Sequence, residues 1–79
     1  MSTLRLFAGA REAAGTDRDS VDGATVGAVL DLAVERYGAA FAELLPSCKV
    51  RVNGEPAERT DPVLPADEVA VLPPVSGGA

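Results

Sequence analysis

Val26, Val29, Leu30, Ala33, Val34 and Tyr37 recur at i, i+3, i+4, i+7, i+8 and i+11, with Asp31 and Glu35 on the opposite side. This spacing predicts one amphipathic helix of about three turns, and no other stretch of the chain is as regular. Thr25 is placed to cap its start and Gly38 to stop it. Tyr37 belongs to the buried stripe, with its hydroxyl at the rim. Such a stripe must be covered, and a chain of 79 residues has material for little more than one sheet laid across the helix. At this size roughly 60% of the unfolded surface can be buried, so the chain is one domain with a small core.

Period-two alternation supplies the sheet. Leu4, Leu6 and Ala8 alternate with Thr3, Arg5 and Phe7, predicting a first strand over residues 3–8. Phe7 falls on the face that Arg5 marks as open; such a residue either closes a small second core or sits in a binding patch. Residues 9–16 carry the helix-forming run Arg11-Glu12-Ala13-Ala14 closed by Gly15, too short to stand alone, and read as a loop with one helical turn. Asp17-Arg18-Asp19-Ser20-Val21 is a polar strand returning beside the first near an edge, and Asp22-Gly23-Ala24 a turn.

Beyond the helix, Phe41, Leu44 and Leu45 form a second short apolar patch, a further helical turn ended by Pro46. Cys48, Val50 and Val52 alternate with Lys49 and Arg51 as a strand, and Asn53-Gly54 is a two-residue hairpin signal. Residues 55–58 then fold back as a short strand that Pro56 marks as an edge. Residues 59–67, rich in Pro and Asp, form a loop with Val63 and Leu64 tucked beneath it. The last strand spans residues 68–72, with Val69 and Val71 inward and Ala70 and Leu72 outward. The order strand, strand, long helix, strand, strand, strand predicts an α+β fold, a mixed sheet with the final strand beside the first and the helix across one face.

Seven basic and twelve acidic residues, with no histidine, give a formal charge of −5. Nucleic acid is disfavoured as a partner by that balance, and a basic protein surface is the more natural complement. Asp17, Asp19, Asp67 and Glu68 read as solvated charge that steers such a partner. One cysteine permits no internal disulfide. No apolar run approaches membrane-spanning length and the first residues lack the pattern of a secretory signal, so a cytoplasmic protein is expected. The catalytic inventory is nearly empty: no His, no paired Cys, no phosphate-loop pattern and no carboxylates at metal spacing. Cys48 has no base to activate it and reads as a small packed hydrophobe. The chain is therefore not expected to be an enzyme by itself.

The unusual chemical object is the end. Pro73 and Pro74 offer no N–H and prevent the last strand from continuing as a paired strand, so residues 73–79 should leave a body formed by residues 1–72 as an extended, flexible tail. Val75 to Gly78 can reach on the order of 13 Å. Gly77 and Gly78 make that reach thin enough for a channel closed to larger residues.

The Arg-Glu pair after the first strand, the helix with Tyr37, Val52-Asn53-Gly54-Glu55 and the ending Asp67-Glu68-Val69-Ala70-Val71-Leu72-Pro73-Pro74-Val75-Ser76-Gly77-Gly78 resemble the MoaD and ThiS family of ubiquitin-like β-grasp sulfur carriers. The likeness is nearest to MoaD, the small subunit of molybdopterin synthase. It implies that the carboxylate of Gly78, preceded by Gly77, attacks ATP on an E1-like adenylating enzyme of the MoeB or ThiF type. Sulfur from a sulfurtransferase then displaces AMP to leave a thiocarboxylate, which serves molybdopterin synthesis with a larger MoaE-type subunit. ATP is used by the activating partner, and the carrier itself holds no stable cofactor and no metal. The resemblance also implies an apolar recognition patch on the open sheet face. Phe7 and Leu72 would form it, Pro73, Pro74, Val75 and Ser76 would lead into the partner, and Arg11 and Arg51 would be rim charges. Ala79 departs from the pattern, and its removal by a protease, for instance of the JAMM kind, is the expected step that exposes Gly78. The same chemistry serving cysteine, thiamin or tRNA thiolation, and a ubiquitin-like protein modifier, are the alternative readings.

Overall fold

The computed structural model describes residues 1–74. Five strands form one mixed sheet: β1 (Ser2–Leu6), β2 (Arg18–Val21), β3 (Lys49–Val52), β4 (Glu55–Pro56) and β5 (Glu68–Leu72), in the order β2-β1-β5-β3-β4. The neighbours β1 and β5 run parallel, and every other pair is antiparallel. Among the described residues three α-helices accompany the sheet, α1 (Ala8–Ala14), α2 (Val26–Tyr37) and α3 (Ala39–Leu44), the last followed by a 3-10 turn over Leu45–Ser47. This is the expected α+β arrangement, with the first and last strands paired at the centre.

Local chemistry explains why α2 begins and ends where it does. The Thr25 hydroxyl accepts a hydrogen bond from the Ala28 N–H at 3.2 Å, satisfying one of the donors a helix start leaves unpaired. At the other end Gly38 adopts φ 96°, a conformation that a side chain would resist. Val26, Val29, Leu30 and Ala33 are buried against Leu4, Leu6, Val21, Val69 and Val71 of the sheet. Asn53 and Gly54 both take positive φ, 51° and 86°, as a tight two-residue hairpin of matching twist requires.

Four expectations are corrected. The first strand stops at Leu6, because Phe7 sits at the start of α1 and its carbonyl accepts the Ala10 N–H at 3.0 Å; α1 is a helix of seven residues. The fourth strand spans two residues, not four. Phe41 forms no separate patch: it is 1% exposed in the main core, its ring edge-on to Tyr37 at 5.3 Å. Leu64 is not tucked under the loop but 64% exposed, while Val63 is 5% exposed. The Val63 N–H donates to Ala24 O at 2.9 Å, and that pairing turns one residue inward and the next outward.

Candidate functional site

Helices cover one face of the sheet, and the register dictates what the other presents. Thr3 and Arg5 on β1 point the same way as Glu68, Ala70 and Leu72 on β5, because their neighbours Leu4, Leu6, Val69 and Val71 are buried. Pairing places Arg18 opposite Arg5, Arg5 and Arg51 on either side of Ala70, and Lys49 opposite Leu72. One line across the open face therefore reads Arg18, Arg5, Ala70, Arg51, Pro56.

Phe7 extends the same face by one position. Its backbone is still extended (φ −122°, ψ 151°) and its N–H donates to Val71 O at 3.3 Å, which puts it level with Leu72. Phe7 is 38% exposed and its ring centroid lies 5.4 Å from the Arg5 guanidinium, a cation–π contact that steadies an otherwise solvated aromatic. Leu72 and Pro73 are half-buried and Pro74 is exposed, so the chain leaves the sheet beside Phe7 and Lys49. Arg11 is exposed on α1, the helix that Phe7 starts, and Arg51 is half-buried with its Nη1 donating to Gly54 O at 3.2 Å. The structure thus brings Phe7, Leu72 and Arg51 to one face, with Pro73 and Pro74 following Leu72 out of β5 and Arg11 on the helix beside it. Val75, Ser76, Gly77, Gly78 and Ala79 lie outside the described residues.

Sequence reasoning did not foresee the charge of this face. Arg5, Arg18, Lys49 and Arg51, four of the seven basic residues, point from it, with Glu68 as the one acid. The acidic balance of the chain lies elsewhere, so its average charge misjudges the surface beside the tail. Lys49 and Arg51 were legible as outward residues of their strand. Their union with Arg5 and Arg18 needed the strand order.

The acids singled out as solvated are structural in two cases. Asp19 points to the helix side, where its Oδ2 accepts from Tyr37 Oη at 2.6 Å and Arg36 Nη1 at 2.8 Å. The Tyr37 hydroxyl, then Arg36, hold the Asp19 carboxyl below its ordinary range, while burial and the Asp19 charge push the Tyr37 phenol up. Asp67 anchors the entry to β5: it accepts from the Leu64 N–H and from Asn53 Nδ2, each at 2.8 Å, which lowers its pKa. Asp17 and Glu68 remain on the surface, Glu68 at 3.6 Å from Arg5. Cys48 is half-buried against the core, burial pushes its thiol up, and its Sγ lies 3.4 Å from Leu44 O, all of which oppose a nucleophilic role. No group of His, Cys, Asp and Glu suited to a metal ion occurs among the described residues, and no helix among them is long and apolar enough to cross a membrane.

A five-stranded mixed sheet with a helix across one face and its first and last strands paired at the centre defines the class of small ubiquitin-like β-grasp proteins. The ThiS family model matches residues 4–78, and the chain belongs to that family of ubiquitin-like sulfur carriers. It is 42% identical over 84 residues to small archaeal modifier protein 1 of Haloferax volcanii, covering 94% of this chain and 97% of the relative. A crystal structure of that Haloferax protein superimposes with a TM-score of 0.82 at 37% identity over 98% of both chains. A Pyrococcus furiosus protein carrying the name molybdopterin converting factor, subunit 1 matches at 0.83 with 25% identity, over 94% of this chain and 97% of its own. The Amycolatopsis orientalis BexX/CysO complex contains a chain that matches at 0.83 with 25% identity, over 99% of this chain and 100% of that one.

Proposed function

We propose that this protein carries sulfur as a thiocarboxylate on Gly78, made by an E1-like adenylating enzyme and delivered to a larger subunit for molybdopterin synthesis. The observation that carries the reading is the extent of the family likeness, which runs to Gly78. The Pyrococcus relative's name supports the destination.

The chemistry needs little from side chains. A carboxylate is a poor acyl donor until it has a good leaving group. Attack of the Gly78 carboxylate on the α-phosphorus of ATP expels pyrophosphate and leaves an acyl adenylate. Hydrosulfide then adds to the acyl carbon, AMP departs with the C–O bond it held, and loss of the sulfur's proton leaves the thiocarboxylate. Whatever follows Gly78, Ala79 included, must first be removed, because the reacting carboxylate has to be that of the second glycine. The open face with Phe7 and Leu72 docks on the partner, and residues 73–78 enter its active site.

A second reading is favoured by one observation: the 42% identical Haloferax relative is named a modifier. Under that reading the activated Gly78 forms isopeptide bonds with lysines. Intact-mass measurement of chain ending at Gly78, incubated with the activating enzyme, ATP and a sulfur source, separates the two. A gain of about 16 Da, oxygen exchanged for sulfur, supports the carrier. Lysine-linked adducts without that gain support the modifier, and an unchanged mass refutes both.

A further inference from the structure

The geometry points to a partner whose docking surface is acidic: a protein that offers carboxylates to Arg18, Lys49 and Arg51 around an apolar centre that meets Phe7, Ala70 and Leu72. This rests on the carrier reading and adds to it the chemistry of the surface that receives the tail.

Charge is segregated in this molecule. The open face holds four basic residues and one acid, which leaves three basic and eleven acidic residues elsewhere. The other three cations are largely accounted for, since Arg36 pairs with Asp19 at 2.8 Å and Arg59 with Asp31 at 2.7 Å. On the open face only Arg5 has an acidic neighbour, at a loose 3.6 Å, and Arg18, Lys49 and Arg51 have no ion pair among the described residues. Arg5 and Arg18 moreover stand directly opposite each other on adjacent strands, an arrangement that opposes sheet formation. A carboxylate from outside, set between the two strands, relieves that repulsion, so the folded chain gains more from an acidic partner than from a neutral one.

A protein fits better than a nucleic acid. The cations flank an apolar strip, the ring of Phe7 with Ala70 and Leu72, instead of lining a continuous track for phosphates. The acidic remainder of the molecule also repels a polyanion longer than the face. Screening acts on such rim charges, so attraction to the partner should fall as salt rises.

The test uses the activating enzyme as probe and reads binding and chemistry separately. Affinity for the full chain is measured by calorimetry from low to high salt. Adenylation is measured by pyrophosphate exchange with chain ending at Gly78. The variant Arg18→Glu/Lys49→Glu/Arg51→Glu removes cations that have no ion pair among the described residues, and Glu35→Lys/Glu43→Lys changes exposed charges on the helix side as a control. The expected result is affinity that falls with salt and drops about tenfold or more in the triple variant, with the control unchanged and circular dichroism intact in both. Salt-insensitive binding that survives the reversal, with adenylation intact, overturns the acidic partner and leaves the carrier standing. Salt-sensitive, reversal-sensitive binding without adenylation sinks the carrier reading and leaves the acidic docking surface. No binding at all overturns both. Tighter binding to a 20-nucleotide single-stranded RNA than to the enzyme assigns the cations to nucleic acid and overturns the proposal.

Discussion

Replacing Leu72 by a charged residue should separate docking from folding, and the structure allows both costs to be worked. Leu72 is half-buried and points from the open face, whereas its neighbour Val71 is fully buried. Complete burial of a leucine is worth about 1.5 to 3 kcal/mol, so a half-buried one contributes on the order of 1 kcal/mol to the free protein. In Leu72→Glu the new carboxylate stands opposite Lys49 in the register, a cross-strand pair that returns a few tenths of a kcal/mol. For a domain this small, a net loss of at most about 1 kcal/mol lowers Tm by roughly 4–8 °C. In a complex that covers the position, the same charge must lose most of its water against an apolar strip, which costs about 2–5 kcal/mol, a weakening of roughly 30- to 5,000-fold. The sign of the charge separates two causes, because desolvation penalises Leu72→Lys as well, whereas repulsion by an acidic partner adds to Leu72→Glu alone. Thermal melts and calorimetry with the activating enzyme measure the two quantities, with Val71→Glu as the reference for a true core lesion. Should Leu72→Glu melt like Val71→Glu, or bind like the unaltered chain, the assignment of Leu72 to a docking face is wrong.

Removing Gly78 and Ala79 together should abolish adenylation and leave Tm within about 1 °C, since a glycine and an alanine carry little apolar surface to bury; a fall comparable to a core substitution would place the chain end among the stabilising contacts. Phe41→Ala should cost about 3–5 kcal/mol in urea unfolding, the penalty of a buried aromatic, and a loss under about 1 kcal/mol would restore Phe41 to a peripheral patch. Asp19→Asn should destabilise by about 1 kcal/mol, limited by solvent around a partly exposed group that joins β2 to α2. Asp19 and Asp67 titrate lower in the folded chain than their ordinary 3.8, so the stability they add is present above that value and lost as pH falls through their folded pKa. Acid melts should show less decline in Asp19→Asn than in the parent, and parallel curves would refute the link.

The amino-acid order determined everything that depends on neighbours within a few positions. The 3.6-residue stripe from Val26 to Tyr37, the Thr25 cap, the Asn53-Gly54 hairpin and the inward Val69 and Val71 were all legible, because helix faces, caps and tight turns are satisfied locally. The proline pair and the two glycines were equally plain, since backbone chemistry is written in residue type. What escaped was set by partners distant in the chain. Phe41 is core because α3 folds it against Tyr37 and the sheet, and Val63 is chosen over Leu64 by a hydrogen bond to Ala24. Asp19 is a strut because Arg36 and Tyr37 arrive from another element. The basic face exists only because the parallel pairing of β1 with β5 sets Arg5 and Arg18 beside Arg51 and Lys49. Summed charge is a property of composition, but the charge of a surface is decided by which strands lie side by side.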